Sequence, residues 1–245
     1  MNVVRSDLRS DRCLRVGHSV VEPGQPLREL AARLDGAEWD MVELDVLSAG
    51  DRLVVAHDAG DLALPVQVDF GEALATLASL VGDEVRFDVD IKAIGYERAV
   101  AQAIAAAGIT ERTLVSTMHS TSLAELRRIA PELALGLSVP RVRRDYLGHP
   151  LTRPGAYAVL AYLRRALPGQ VARVLDAGEA DAIMAHWGTV TSRMVQAVRS
   201  RGAELFVWTV DDHRRLPALQ RLGVSGVITN ERDLFASCSR GSPPP

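Results

Sequence analysis

The segment MVELDV, residues 41–46, is aliphatic except for two carboxylates. Its length and its aliphatic content are typical of a strand in the core of a sheet. Side chains two residues apart in a strand point to the same face, so Glu43 and Asp45 converge on one region. The segment therefore predicts a core strand that carries a pair of acidic side chains.

A second segment, RFDVDIK at residues 86–92, repeats this pattern. Its polar residues occupy alternate positions: Asp88, Asp90 and Lys92. A buried carboxylate is costly unless it is paired, protonated or bound to a metal, and we expect Glu43 and Asp45 to lie side by side with no basic neighbour, which favours a bound cation. Oxygen ligands from Glu43, Asp45 and Asp90 suit a hard divalent ion, Mg²⁺ or Ca²⁺, better than zinc. The alternative is that these acids mark strand ends in solvent.

Short β-rich runs like these alternate with helix-period segments along the whole chain. The eight predicted strands are residues 13–17, 41–46, 86–91, 113–116, 133–138, 181–185, 204–208 and 223–228. Ala/Leu/Arg-rich segments predict helices that cover a parallel sheet, at residues 96–107, 122–129, 191–201 and 212–222.

Eight βα units in 245 residues indicate an α/β fold, a TIM (β/α)₈ barrel. The prediction is a single domain over residues 1–240, with the Pro-rich tail 241–245 disordered. An open doubly wound sheet is the runner-up. It fits less well because Gly17 is followed by HSVVEPG and not by a Gly-rich phosphate loop.

The composition narrows the class of protein. The chain is 47% hydrophobic and 24% charged, which is typical of a folded protein with a large aliphatic core. A net charge of -3, with no basic stripe, makes nucleic acid an unexpected partner. Cys13 and Cys238 show no disulfide-scaffold spacing, and no apolar run is long enough for a signal peptide or a transmembrane segment. We therefore expect a cytoplasmic protein, whose oligomeric state the sequence does not indicate.

Two histidines follow predicted β-runs. His18 comes directly after the first strand, and His57 ends the run RLVVAHD beyond the first acidic strand. Barrel strands lead into functional loops at these points. A single histidine is more often a surface or core residue, but here the acids and Lys92 accompany the pair. Together they supply the acid, base, cation and fixed charge that displacement at a phosphodiester needs.

The order His18, Glu43-x-Asp45 and His57 closely resembles the His-(x)n-Glu-x-Asp-(x)n-His signature of glycerophosphodiester phosphodiesterases. The segment DVDIK resembles the family's Asn-Ile-Glu-Ile-Lys strand, and GVSGVITNERDLF resembles its closing Gly-Val-Asp-Gly-Ile-Ile-Thr-Asp segment. With VSTMHSTSLAELRRIAPELALGLSVP and ELFVWTVDD, the likeness extends from residue 14 to about 235. The order and spacing of these motifs make the match specific.

The resemblance implies metal-dependent hydrolysis of glycerophosphodiesters to an alcohol and glycerol 3-phosphate. His18 and His57 would act as general acid and base, and the three acids would bind one divalent cation, Mg²⁺ or Ca²⁺. Lys92 would hold a phosphate oxygen. Trp208, at the end of the seventh strand, would pack on the alcohol side of the substrate, although an ordinary core role is the alternative. The expected partner is a small-molecule or lysolipid phosphodiester.

The chain departs from the family pattern in four places. The first histidine is followed by Ser19 where the family has a phosphate-contacting arginine, so a permanent charge is missing. The family's Pro-Glu-Asn-Thr box survives only as PGQPL at residues 23–27. Asp90 replaces the usual glutamate. Only 32 residues separate His57 from Asp90, so we expect the insertion that often caps the pocket to be mostly missing and the site to be open on one side.

Three other functions stay open from the sequence. One is a lysophospholipase D or sphingomyelinase D-like phosphodiesterase that acts on lipids by the same chemistry. Another is a catalytically weakened barrel that binds phosphodiesters. The third is a barrel enzyme with different divalent-metal chemistry, such as an enolising lyase.

Overall fold

A computed structural model describes residue 8 and residues 10–140 and 153–235. The predicted tail 241–245 and Cys238 lie outside the described residues. Within the described part the strands are β1 (Leu14–Gly17), β2 (Met41–Ala49), β3 (Arg52–Val55), β4 (Arg86–Ile91), β5 (Thr113–Thr117), β6 (Ala134–Val139), β7 (Ala182–His186), β8 (Glu204–Trp208) and β9 (Gly226–Thr229).

Eight of these strands are parallel and close into a barrel. Their order around it is β1, β2, β4, β5, β6, β7, β8 and β9, and β9 pairs again with β1. All eight predicted strands are present, so the prediction of a TIM barrel is confirmed. The remaining strand, β3, pairs antiparallel with the far end of β2 and forms a hairpin outside the barrel ring.

Helices lie between the strands. They are α1 (Leu30–Leu34), α2 (Phe70–Leu80), α3 (Glu97–Ala106), α4 (Ser120–Ile129), α5 (Arg153–Asp176), α6 (Ser192–Arg199) and α7 (Leu216–Leu222). None of the described helices is both long and apolar enough to cross a membrane.

Two helices differ from the sequence predictions. The helix predicted to begin at residue 212 begins at Leu216, because Pro217 suits the first turn and residues 212–215 form a turn of their own. The long helix α5 is not among the predicted helices, and it contains Pro168, a residue that usually ends helical patterns.

Polarity inside the barrel changes along the strands. The inward side chains near the strand starts are apolar and form a buried cluster that includes Leu14, Met41, Leu114 and Phe206. The next inward positions of β2 after Met41 are acidic, since side chains two apart share a face. The barrel therefore has an apolar floor and a polar mouth at the C-terminal ends of the strands, where functional sites of this fold lie.

Candidate active site

Three carboxylates meet at the mouth of the barrel. Side-chain oxygens of Glu43, Asp45 and Asp90 all lie within 4.8 Å of one another. The pairing of β2 with β4 brings them together, because Asp45 stands directly opposite Asp90 and Glu43 opposite Asp88. Glu43 and Asp45 are buried, with 4% and 1% of their surfaces exposed. The predicted metal-ligand set is therefore a compact cluster on two neighbouring strands.

Lys92 adds a positive charge to this cluster. Its Nζ lies 2.6 Å from Asp45 Oδ1 and 2.6 Å from Asp90 Oδ2. The sequence-based argument that Glu43 and Asp45 have no basic neighbour is therefore wrong, because β4 places Lys92 beside β2. Although burial opposes its charge, Asp90 and Asp45 raise the pKa of Lys92 above its usual value.

One lysine does not neutralise all of these acids. Burial and the neighbouring charge of Asp45 raise the pKa of Glu43 well above its usual value. Burial also raises the pKa of Asp90, against the opposing effect of Lys92. Only Asp45 has a lowered pKa, because Lys92 and hydrogen bonds outweigh its burial. The cluster therefore holds more negative charge than its own lysine can stabilise.

Asp88 is a fourth acid at the same mouth. It is buried and stands next to Ser116, and burial together with the charge of Asp90 raises its pKa to about 8. Its Oδ1 has no hydrogen-bond partner within the described structure. The site therefore includes a fourth acid that takes up a proton more readily than an ordinary carboxyl group does.

Ser19 has a structural role that the sequence did not reveal. Its backbone N–H donates to Glu43 Oε2 at 2.6 Å, and its Oγ donates to Asp45 Oδ2 at 3.0 Å. Its φ of 42° is a left-handed conformation that is uncommon for residues other than glycine. This conformation directs both donors toward the acids, so Ser19 orients two of the proposed metal ligands.

His18 lies at the end of β1 and contacts the end of β9. Its Nδ1 is 2.9 Å from Asn230 Oδ1, and Asn230 Nδ2 donates to Asp211 Oδ2 at 2.8 Å. A carboxylate only accepts hydrogen bonds, so the amide nitrogen of Asn230 must face Asp211 and its oxygen must face the histidine. The Nδ1 of His18 is then the donor, which leaves Nε2 of the neutral ring as the acceptor.

Asp211 is itself firmly held. It accepts hydrogen bonds from the Asn230 N–H at 2.9 Å and from Thr229 Oγ1 at 3.1 Å. These bonds outweigh partial burial and lower the pKa of Asp211. Sequence reasoning missed both Asp211 and Asn230, although both fall in segments that carry the family resemblance. The available signal was ITN, where the family's closing segment has Thr-Asp.

His57 reaches the same cleft from a different element. It lies two residues beyond β3, and its backbone N–H donates to Asp61 Oδ2 at 2.8 Å. The expectation that it follows a barrel strand is wrong, because β3 belongs to the antiparallel hairpin. The side chain is exposed and lines the cleft.

The cleft gathers almost all of the predicted site residues. Its polar and aromatic lining comprises His18, Glu43, His57, Asp88, Asp90, Lys92, Ser116, Ser138, Trp208 and Thr209. Asp45 lies behind this surface, in contact with Lys92 and Ser19. Trp208 ends β8, and its ring packs edge-on against His186 with ring centres 5.2 Å apart. The structure thus brings the predicted site residues to one end of the barrel.

The donor set fits a hard divalent cation. All three clustered ligands are carboxylate oxygens, the donors that Mg²⁺ and Ca²⁺ prefer. Burial and the neighbouring charge of Asp45 raise the pKa values of Glu43 and Asp90, and a bound cation would offset both effects. A divalent-metal site at the mouth is consistent with both observations, and neither selects between the two ions.

A closed β/α barrel whose cleft gathers acids, a lysine and histidines has the groups that hydrolysis of a phosphoric diester needs. The chain belongs to the glycerophosphoryl diester phosphodiesterase family, whose model matches residues 82–234. The predicted family and enzyme class are thereby confirmed.

Known proteins of this family resemble the chain over most of its length. A glycerophosphodiester phosphodiesterase from Caldanaerobacter subterraneus subsp. tengcongensis is 24% identical over 234 residues, covering 82% of this chain and 86% of that protein. A crystal structure of a glycerophosphodiester phosphodiesterase from Parabacteroides distasonis has a TM-score of 0.68 at 15% identity, covering 94% of this chain and 98% of that one. A phosphodiesterase from Oleispira antarctica, in complex with the product sn-glycerol-3-phosphate, has a TM-score of 0.62 at 14% identity, covering 92% and 96% of the two chains.

Proposed function

We propose that this protein hydrolyses glycerophosphodiesters to an alcohol and glycerol 3-phosphate. His18 and His57 would supply acid-base catalysis, and Glu43, Asp45 and Asp90 would hold one Mg²⁺ or Ca²⁺ ion. The observation that carries the proposal is the convergence of the three carboxylates, a lysine and two histidines on one cleft. Membership of the phosphodiesterase family supports the same reaction.

The proposed cation would supply positive charge where the phosphoryl oxygens carry negative charge. The ligand carboxylates belong to rigid core strands, and Ser19 fixes the orientation of two of them. Lys92 is proposed to contact a phosphate oxygen, because its ammonium lies at the same cleft and retains its charge. The chain would thus bind the phosphate without the arginine that Ser19 replaces.

The two histidines receive different roles in this proposal. The hydrogen bonds of Asn230 and Asp211 leave His18 Nε2 as a proton acceptor. His18 would remove the proton of the glycerol 2-hydroxyl as its oxygen bonds to phosphorus and the alcohol leaves, and water would then open the cyclic phosphate to glycerol 3-phosphate. His57, on the hairpin side of the cleft, would give a proton to the leaving alcohol. Trp208 would pack against the alcohol, since it lines the cleft at the end of β8.

Release of glycerol 3-phosphate from glycerophosphocholine tests the proposal. Turnover should disappear in EDTA and return when Mg²⁺ or Ca²⁺ is added in excess. No release under any metal condition would favour a weakened, phosphodiester-binding barrel, and undiminished release in EDTA would refute the metal site. The cation that restores the higher rate identifies the better cofactor.

Two finer parts of the function are also proposals. Cleavage of lysolipid phosphodiesters by the same groups is a second candidate, favoured by the exposed apolar side chain of Ile94 two residues beyond Lys92.

A cytoplasmic location is supported by the absence of disulfide-scaffold spacing between Cys13 and Cys238. Fractionation of cells that express the tagged protein would test the location.

A further inference from the structure

Large apolar side chains are exposed mainly at the catalytic end of the barrel. The exposed ones within the described chain are Val66, Leu80, Ile94, Tyr157, Val159 and Tyr162. Single exposed apolar residues are normal on any protein surface. Here, however, only Leu80, the last residue of α2, lies at the opposite end, where α2 returns to the start of β4. The uneven distribution calls for an explanation.

Helix α5 carries three of these side chains beyond the mouth. Arg164 Nε donates to the backbone oxygen of Gly188 at 2.8 Å, and Gly188 lies just past the end of β7. Residue 164 is therefore level with the mouth. The helix runs back along the barrel from there, so its earlier residues project outward. Tyr157, seven residues before Arg164, lies about 10 Å further out at the helical rise of about 1.5 Å per residue.

Helix α5 carries aromatic and aliphatic side chains on its projecting turns and a basic side chain, Arg165, at the level of the mouth. Tyr157 and Tyr162 are 63% and 66% exposed, and Val159 is 55% exposed. Val159 and Tyr162 are neighbours on the helix surface because they are three residues apart, and Arg165 follows Tyr162 at the same spacing. Arg165 is exposed and forms no ion pair with the residues that the structure describes.

Ile94 adds an apolar side chain from another part of the mouth. It is 61% exposed in the loop between β4 and α3, and it follows Lys92 by two residues. We call Ile94, Tyr157, Val159, Tyr162 and Arg165 the rim surface. All five belong to segments that leave or approach the C-terminal ends of the strands, the end that holds the cleft.

We propose that the rim surface docks on a phospholipid bilayer. Tyrosine is favoured at the boundary between lipid and water, and arginine keeps its charge in water while its stem covers apolar surface. The guanidinium of Arg165, which has no ion pair among the described residues, is complementary to the phosphates of lipid headgroups. Docking would face the cleft toward a surface that displays phosphodiesters, so the substrates would include lipid phosphodiesters. Only this last step rests on the proposed function.

The apolar part of the rim surface is small, so docking is weak and reversible. A protein partner or a second copy of the chain would have to cover the exposed Arg165 with an acidic group. A bilayer that contains anionic lipid supplies that group together with an apolar layer. The same reasoning predicts that added salt weakens docking, because Arg165 interacts in an exposed position.

Sedimentation with vesicles tests the docking without any catalytic step. Wild type should pellet with vesicles of phosphatidylcholine and phosphatidylglycerol, and Tyr157→Ser/Tyr162→Ser should lower the partition coefficient about tenfold or more through lost apolar burial. Leu80→Ser is the matched control, since it removes an exposed apolar side chain from the other end and should bind as wild type does. Arg165→Gln should reduce binding mainly when phosphatidylglycerol is present.

Several results would overturn the docking proposal. The first is a wild-type protein that stays in the supernatant. The second is a loss of vesicle binding in Leu80→Ser as large as that in the double variant. The third is a dimer, seen by analytical ultracentrifugation, that the tyrosine substitutions dissociate. Turnover of water-soluble glycerophosphocholine, measured in parallel, should be the same in wild type and in the double variant. Absence of that turnover in wild type would refute the proposed reaction, while the vesicle result would still decide the docking.

Discussion

The acids directly before strand β2 and within it lie in two very different environments. Asp40, directly before the strand, contacts two arginines: its Oδ1 lies 2.5 Å from Arg12 Nη2 and its Oδ2 accepts the backbone N–H of Arg15 at 2.8 Å. Within the same strand, Glu43 and Asp45 face each other and Asp90, with one lysine between them. Asp40 has a lowered pKa because its arginines outweigh its burial, whereas the pKa of Glu43 is raised.

An acid directly before strand β7 is also paired with an arginine. Asp181 accepts a hydrogen bond from Arg127 Nη2 at 2.7 Å and another from the backbone N–H of Leu135 at 2.9 Å. Asp40 and Asp181, at the N-terminal end of the barrel, are thus paired with arginines and stabilise the fold. Acids at the C-terminal end are crowded, which a folding role alone does not explain. The contrast assigns stability to one end and chemistry to the other, as is general for this fold.

The largest expected effect is at Glu43. Glu43→Gln should abolish binding of Mg²⁺ and Ca²⁺ in calorimetry and remove turnover of glycerophosphocholine, because an amide supplies no charge to the cation. Asp40→Asn is the control at the other end of the strand, and it should lower stability while leaving cation binding intact. Unchanged cation affinity in Glu43→Gln would show that the acids are not metal ligands.

The histidines should come next. His18→Ala and His57→Ala are each expected to lose turnover by roughly 10²- to 10⁴-fold, the usual size of a general acid-base contribution. Both variants should keep the fold, seen by circular dichroism, and should still bind the cation. A fully active His57→Ala protein would return that exposed side chain to an ordinary surface role.

The acids at the two ends of the barrel should make folding stability depend on pH in opposite directions. The raised pKa of Asp88, about 8, means that the folded state keeps a proton that the unfolded state loses above its ordinary pKa of 3.8. Stability in EDTA should therefore fall as pH rises from 3.8 to about 8, by about 1.4 kcal/mol per pH unit for one such group. The lowered pKa of Asp40 acts the other way, so its contribution is present above pH 3.8 and is lost as pH falls through its folded pKa.

Urea unfolding across this range, with and without Asp88→Asn, measures the effect. The substitution removes the titrating group, so it should flatten the decline between pH 4 and 8 by about the slope of one group. Asp40→Asn should leave that decline unchanged and lower stability above pH 4. A wild type whose stability in EDTA is flat or rises toward pH 8 would contradict the contrast between the two ends.

A smaller effect is expected where Asn230 meets His18. In Asp211→Asn the acceptor-only partner is lost, so the amide of Asn230 is free to turn and the His18 tautomer is no longer fixed. Turnover should fall by between about 10- and 10²-fold, mainly in kcat, because a misplaced proton acceptor affects the chemical step. Nitrogen-15 NMR of the His18 ring should show Nδ1–H in wild type and a mixture in the variant. A wild-type ring protonated at Nε2 alone would refute the assignment.

The smallest expected effect concerns Ser19. Ser19→Arg would restore the family's charge and should lower KM for glycerophosphocholine by up to about tenfold, the size of a charge-assisted hydrogen bond. Ser19→Ala is the control, because it removes only the hydroxyl bond to Asp45 and adds no charge. An unchanged or higher KM in Ser19→Arg would show that the cleft has adapted to serine.

The barrel and its acidic pair were predictable because they depend on short-range patterns. Alternation places Glu43 and Asp45 on one face whatever lies around them, and eight apolar runs in one chain leave few arrangements. Contacts between distant segments were not visible. Lys92 reaches Asp45 only because β4 is the neighbour of β2. Asn230 and Asp211 meet because β9 ends beside the loop that follows β8.

The predictions for the strand before His57 and for helix α5 failed for the same reason, since both depended on contacts with distant segments. The sequence before His57 predicts a strand, and β3 is present there. Only its antiparallel pairing with β2 shows that β3 is not one of the eight barrel strands. Helix α5 tolerates Pro168 because packing on the barrel stabilises it against its local propensity. Local patterns thus gave the elements, whereas pairing partners and tertiary packing decided their positions.

The most direct test of the contrast between the paired acids at one end of the barrel and the crowded acids at the other is thermal unfolding at neutral pH during titration with Mg²⁺ or Ca²⁺. If the crowded acids bind a cation in the folded state, the midpoint temperature of wild type should rise steadily with cation concentration. Asp40→Asn should show the same rise from a lower starting value, and Glu43→Gln should show none. A wild-type midpoint that does not respond to either cation, or an equal rise in Glu43→Gln, would contradict the account.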